Sequence, residues 1–363
     1  MKSPSILFCT SLCLILAAQI SSAQTVAVGD CRPQLVSYST ISAAVAAVMP
    51  NSTVLVCPGI YPEQVTIGQI LTLRGLKAGA GAYPVIVVPS GGLVGSDPVQ
   101  LFVQGSDSSP FSVNVSNLVV DGSNSGFNCS AGKLTGIEYE FASGTLDNVT
   151  VRNQNPGGCG LGIFLEGGLS LVNTVNVLNS TIDDFDDTGI LANSTGGVGF
   201  FVNLNSNSLE SPSASVQAGI QYLLTDGLAQ RNTIVLSAGT GLALANLFAG
   251  MTAKDNTIIG ASLGIFSGTS DAANTITGNF LSNNGTGIAV SGFGGDALVK
   301  SNTIVESSIE AIDIDCSAQV TAEKNTIVGA PIGIANVASG DTISGNLYHG
   351  VPTKTTMCAP DQR

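Results

Sequence analysis

From about residue 112 onward the chain reads as short runs of alternating apolar and polar positions, three to five residues long and rich in Ile, Val, Thr and Ala. Such runs, broken every few residues by Gly or Asn, predict short strands joined by tight turns and leave no room for a helix inside a unit. The units repeat. An asparagine opens each, at Asn117, Asn148, Asn179, Asn207, Asn232, Asn256, Asn279, Asn302, Asn325 and Asn346, and the spacing falls from 31 residues to 21, settling at 23. Gly-Ile follows at Gly189-Ile190, Gly219-Ile220, Gly264-Ile265, Gly287-Ile288 and Gly333-Ile334. A leucine-rich repeat shares the period but needs a fixed Leu framework and usually a helix, and neither is present. The pattern therefore predicts an all-β fold, a single-stranded right-handed parallel β-helix (solenoid) of about ten to twelve coils, each coil three short strands stacked at the strand spacing. Stacked asparagines can hydrogen-bond along the axis and tolerate tight-turn backbone, so this column is expected to be scaffold.

An open solenoid exposes its first coil, so it needs a cap. Ser39-Thr40 ahead of Ile41–Met49, with Pro50 as the stop, predicts an N-terminal capping helix. The segment Tyr38-Ser39-Thr40-Ile41, Ala43-Ala44-Val45, Thr53-Val54-Leu55-Val56 and Pro58-Gly59-Ile60-Tyr61-Pro62-Glu63 resembles the opening of the pectin-lyase-like right-handed parallel β-helix superfamily. Pectin methylesterases and many uncharacterised bacterial β-helix proteins share it. The resemblance spans roughly residues 38 to 75 and implies the fold; it carries no catalytic residue over. Nothing matches the Asp-Phe-Ile-Phe-Gly strand of the methylesterases, since Asp184-Phe185-Asp186-Asp187 shares its first two letters alone. The Gly-His-Gly and Arg-Ile-Lys of polygalacturonase-like hydrolases have no counterpart.

Lys2, the apolar stretch Ile6 to Ile20 and the small residues Ser21-Ser22-Ala23 predict a signal peptide over 1–23 with cleavage near Ala23. The expected organisation is a single β-helix domain over 24–363: cap and first coils 31–110, regular coils 111–350, tail 351–363. Export places the protein outside the cell, in the periplasm or at the cell surface, with no membrane span in the mature chain. A formal net charge of −13 argues against nucleic acid as a partner. Beyond the signal lie six cysteines, Cys31, Cys57, Cys129, Cys159, Cys316 and Cys358, an even number suited to disulfides in an exported chain. Cys129 and Cys159 fall at nearly the same phase of adjacent coils. Cys31 and Cys57 flank the capping helix, and Cys316 with Cys358 would tie down the tail. The expected pairs are 31–57, 129–159 and 316–358.

His349 is the lone histidine, which argues against a Ser-His-Asp arrangement and a His-ligated zinc. The remaining chemistry is carboxylate chemistry. Four residues after their asparagines, Asp121, Arg152 and Asp183 predict a stacked acid-base-acid column, with Asp184, Asp186 and Asp187 beside it. These aspartates are the candidate calcium site, calcium being the one cofactor the sequence suggests, and Arg152 the candidate base or clamp of a lyase-like enzyme. Strand alternation turns Glu138, Glu140, Phe164 and Glu166 outward on neighbouring coils, a candidate polysaccharide-binding face, and Ile312-Asp313-Ile314-Asp315 repeats the alternation. Arg231, Lys254, Lys300 and Lys324 form a candidate basic stripe for an anionic glycan. Missing family motifs favour a non-catalytic polysaccharide-binding or surface-contact protein over a polysaccharide-active enzyme, with a structural spacer as the third possibility.

Overall fold

The computed structural model describes residues 23–359 except 80, 96–97, 110, 169–171, 197–198, 246–249, 269–272 and 293–295. Residues 1–22, and with them nearly all of the predicted signal peptide, lie outside the described residues. The chain winds through three parallel sheets in turn. Sheet I has 14 strands; sheets II and III have 12 each. The first coil runs Ser52–Val56, Ile60–Pro62, Val65–Ile67, and the twelfth runs Thr342–Ser344, Leu347–His349, Thr353–Met357. Two further strands, Thr25–Val28 and Ser37–Tyr38, extend sheet I beyond the first coil.

Alternation fills the interior. Along sheet III, Ile137, Ile163, Ile190, Ile220, Leu242, Ile265, Ile288, Ile312 and Ile334 share one inward column and are fully buried. A glycine precedes every member of the column except Ile312, which follows the buried Ala311, and it answers to close approach at the corner between sheets II and III. A Cβ at Gly189 would stand 2.6 Å from the Gly219 carbonyl oxygen and 2.8 Å from Leu209 Cδ2. Two tyrosines replace aliphatic residues in the interior. Tyr139 donates across the coil to the Val113 carbonyl (3.0 Å) and Tyr222 to that of Val202 (3.3 Å). In each case the sheet I residue paired with that valine is a glycine, Gly144 or Gly227, and burial holds both phenols well above their ordinary range.

The cap forms as helix α1, Ile41–Ala47. Thr40 accepts from the Ala43 amide (3.1 Å), and Glu63 of the first coil accepts from the amides of Ile41 (2.7 Å) and Ser42 (2.9 Å), placing a carboxylate at the positive end of the helix. The helix is two residues shorter than its sequence suggests. Pro50 disfavours helical backbone at Met49, and Gln69 donates to the carbonyls of Val45 (3.0 Å) and Val48 (2.9 Å), closing the last turn early.

All three disulfides form as paired in the sequence analysis: Cys31–Cys57, Cys129–Cys159 and Cys316–Cys358, with Cα separations of 5.7, 5.5 and 5.8 Å.

The asparagine column needs a correction. It is two columns one residue apart. Asn207, Asn232, Asn256, Asn279, Asn302, Asn325 and Asn346 form a continuous ladder at the corner between sheets I and II, each amide donating to the side-chain oxygen of the next at 2.9–3.0 Å. Each of the seven also donates to a sheet I carbonyl of the preceding coil. Asn117, Asn148 and Asn179 sit one position earlier, at the left-handed turn residue with φ of 59°, 52° and 50°. Their coils fill the ladder position with Leu118, Val149 and Ser180, all buried.

Candidate functional site

Positions 121, 152 and 183 do stack in register on the outside of sheet II, followed by Glu210. Arg152 Nε donates to Asp121 Oδ2 (2.8 Å), while Asp183 is exposed. Burial raises the proton affinity of Asp121, but hydrogen bonds from Ser123, Asn153 and Arg152 outweigh it and hold the carboxyl below its usual range. The guanidinium is thus spent on an internal partner.

The neighbouring aspartates do not gather at one point. Among the described residues no three His, Cys, Asp or Glu side chains converge as metal ligands. Alternation and a left-handed residue at Asp184 (φ 55°) send them in different directions. Asp184 accepts from Asn155 (2.6 Å). Asp186 turns inward and accepts from the amides of Gly157, Gly158 (2.6 Å) and Gly160 (2.6 Å), so it ties down the 155–159 turn. Asp187, also buried, pairs with Lys133 (2.7 Å).

The basic residues do not make one stripe either. Arg231 and Lys324 occupy the left-handed turn column, with φ of 54° and 56°, and Lys254 and Lys300 end sheet I strands. Lys300 pairs with Glu323 (2.6 Å) and Arg231 donates to Asn205 (3.2 Å).

The outer face of sheet III gathers the other group. Glu138 lies in register with Phe164, and Glu140 with Glu166, on adjacent strands. All four side chains are partly exposed. Burial and the neighbouring Glu140 carboxylate push Glu166 above the ordinary glutamate range. The Glu138 column continues through Phe102 on one side and through Leu191, Gln221, Ala243, Phe266, Ala289 and Asp313 on the other. Phe102 and Phe266 lie beyond the residues singled out in the sequence; their registration with Phe164 was the available signal. Two cavities open on this face. One of about 240 Å³ is walled by Phe102, Glu138 and Val94, whose loop is pinned to the first coil by paired bonds with Gln64 (2.9 and 3.0 Å). The other, about 400 Å³, is lined by Phe266, Ser291, Asp313, Asp315 and Asn336. Asn336 donates to Asp313 (2.9 Å), and Ser291 to Asp315 (3.2 Å). Near it, burial and Asp313 push Glu310 upward despite a hydrogen bond from Thr286. The long turns 88–98, 122–133 and 212–217 all join sheet II to sheet III and so border this face.

The three-sheet parallel solenoid is a right-handed parallel β-helix, and on the outer side of its sheet III carboxylates and aromatics lie beside long turns on a broad, shallow surface. The family model described as a right handed beta helix region matches residues 219–354. No curated protein sequence matches the chain. Among solved structures, the DFA-IIIase of Arthrobacter chlorophenolicus A6, determined in complex with GF2, aligns at a TM-score of 0.55 and 14% identity, over 82% of this chain and 88% of that one. The lacto-N-biosidase of Eubacterium ramulus aligns at 0.51 and 10%, over 90% and 68%. The Dettilon tailspike protein aligns at 0.52 and 14%, over 82% and 62%. At such identities the likeness is one of fold. Three disulfides fit an extracellular protein, and among the described residues no helix is long and apolar enough to cross a membrane.

Proposed function

We propose that this is an exported, non-catalytic polysaccharide-binding β-helix whose contact face is the outer side of sheet III, with residues 1–23 serving as its signal peptide. One observation carries the reading. The partly exposed column of Phe102, Phe164 and Phe266 and the paired carboxylates of Glu140 and Glu166 lie on sheet III, whereas Arg152 faces outward from sheet II and is held by Asp121. A lyase-like arrangement of base and carboxylates needs both in one groove, and the coil separates them. Partly exposed phenylalanines recurring in one outward column, with carboxylates beside them, suit a sugar chain laid along the coils. The partial likeness to polysaccharide-active β-helices is in keeping with this reading.

A second reading has its own observation. Glu140 and Glu166 are in register on adjacent strands, whose spacing of about 5 Å is close to that of a retaining glycosidase pair, and burial with the neighbouring Glu140 raises Glu166 above the ordinary glutamate range. One set of measurements separates the readings. Titration of a glycan panel into the intact protein, followed by product analysis after prolonged incubation with and without calcium, should give binding without cleavage. Released oligosaccharide, abolished by Glu166→Gln, would replace the first reading with the second. No binding to any glycan would remove both.

A further inference from the structure

The strands of sheet III are one-signed. They carry Glu138, Glu140, Glu166, Glu310 and Asp313 against a single cation, Lys354, which lies in the last coil 5.9 Å from the Tyr348 ring. Lys133, just ahead of the third-coil strand, is paired with Asp187. Sheet I is mixed by contrast, Arg74, Lys254 and Lys300 accompanying Asp147, Asp226, Asp296 and Glu323. Sheet II is acidic too, with Asp121, Asp183, Asp184 and Glu210, but it holds Arg152 in register between Asp121 and Asp183. A uronate chain laid on sheet III would meet carboxylates with nothing to neutralise it.

The same face has a fixed aromatic spacing. Phe102, Phe164 and Phe266 belong to one outward column, two coils and then four coils apart. At a strand separation of about 4.8 Å, these intervals are about 10 Å and about 19 Å. Two rings of an extended β-1,4-linked sugar chain cover about the first of these distances, so a chain running along the solenoid axis would bring the same ring face to each phenylalanine. The Phe266 ring leans over Gly268, where a Cβ would stand 2.8 Å from Cε1 and 2.9 Å from Cζ. Its other side lines the 400 Å³ cavity with Asp313, Asp315 and Asn336.

Resting on the contact face proposed above, we infer that its ligand is a cationic amino glycan, a chain of β-1,4-linked hexosamine with free ammonium groups. The C–H faces of the sugar stack on Phe102, Phe164 and Phe266, and the ammonium groups meet the Glu140–Glu166 and Asp313–Asp315 carboxylates. The ligand class is thereby opposite in charge to pectin or alginate.

Calorimetric titration of the disulfide-intact protein with a glucosamine hexamer, an N-acetylglucosamine hexamer and an oligogalacturonate, the last with and without calcium, tests this at physiological ionic strength. The glucosamine hexamer should bind at least about tenfold more tightly than its acetylated counterpart, because each exposed charge pair is worth up to about 1 kcal/mol. The near-isosteric double variant E140Q/E166Q should lose about tenfold in affinity by the same reckoning. Phe266→Ala should weaken it further, while Glu210→Gln, a carboxylate of sheet II, should leave it unchanged; circular dichroism melts confirm that each variant folds. Equal affinity for the acetylated hexamer overturns the amino-glycan inference and leaves the contact face standing. So does equal weakening by Glu210→Gln, which would mark bulk charge attraction. Preference for oligogalacturonate, with or without calcium, also overturns it. No binding to any of the three by the wild type, or to a wider glycan panel, removes the contact face as well.

Discussion

The first five coils and the last seven are built on different terms. From Asn207 onward every coil carries a ladder asparagine whose amide satisfies backbone and neighbouring amide in one stroke, and the spacing settles at 23 residues. Coils three to five lack it. They plug the same corner with Leu118, Val149 and Ser180, and they are held by the Cys129–Cys159 bridge, the Asp121–Arg152 pair and the Asp186 clamp on the glycine turn. The family model for this fold matches residues 219–354, almost wholly within the laddered part. Regularity is what a repeat pattern recognises. Two of the three long turns beside sheet III, 88–98 and 122–133, belong to the irregular coils, where a turn that need not repeat its hydrogen bonds is free to lengthen.

The contrast can be broken most forcefully inside the ladder. Asn279→Leu strands the Asn256 amide, the Ala253 carbonyl and the side chain of Asn302 in a buried corner. A loss of roughly 3–5 kcal/mol is expected from several unmade buried hydrogen bonds, read as a lower denaturant midpoint. Asn148→Ser, at the exposed turn column where Ser206 and Ser301 already sit, should cost less than about 1 kcal/mol. Equal losses at the two sites would erase the distinction between the columns. Next in size is the double variant C129S/C159S, expected to cost about 3 kcal/mol by loop entropy across the 30-residue separation. Proteolysis under native conditions should then cut first in 122–133, and cutting in the ladder coils instead would show that the bridge does not hold the irregular half.

Smaller effects sharpen the picture through pH. Asp121 is held below its usual carboxyl range in the folded state, so its contribution is present at neutral pH and above the unfolded value of about 3.9. It is lost as pH falls through the depressed folded value. Melting temperatures measured from pH 7 downward should fall less steeply for Asp121→Asn than for the wild type, the variant being the less stable at neutral pH. Glu166 runs the other way. Its folded affinity for a proton is raised, so the ionised form burdens the fold at pH 7, and the burden lifts as pH drops through that raised value. Glu166→Gln should therefore stabilise slightly, by about 0.5 kcal/mol or less, even as it weakens ligand binding. A clear destabilisation on thermal melting would show that Glu166 belongs to the scaffold.

Much of the architecture was legible because parallel stacking converts sequence spacing into spatial adjacency. Equal phase placed Cys129 beside Cys159 and Glu140 beside Glu166 before any coordinates. The cap was legible from Thr40 and Pro50. Phase alone could not distinguish two asparagine columns one residue apart. The mark was there: the strand threonine follows Asn232 directly but stands two residues after Asn148 and Asn179, as Thr150, Thr181 and Thr233 share one column through Ser208. Nor could it show that consecutive aspartates part company, since the left-handed residue at Asp184 and the inward turn at Asp186 belong to backbone geometry.

The ladder also makes length a free variable. Asn279, Asn302 and Asn325 receive hydrogen bonds from the coil before and give them to the coil after, on identical terms. The 23-residue stretches that begin at Asn256 and at Asn279, each ending just before the next ladder asparagine, are interchangeable segments with matching ends. Tandem duplication or loss of such a segment would lengthen or shorten the rod by one strand spacing of about 4.8 Å without creating a new kind of joint. Change in the number of coils is therefore open by copying alone to the part of the ladder ahead of the Cys316–Cys358 bridge, whereas the irregular coils can change only by redesigning their turns.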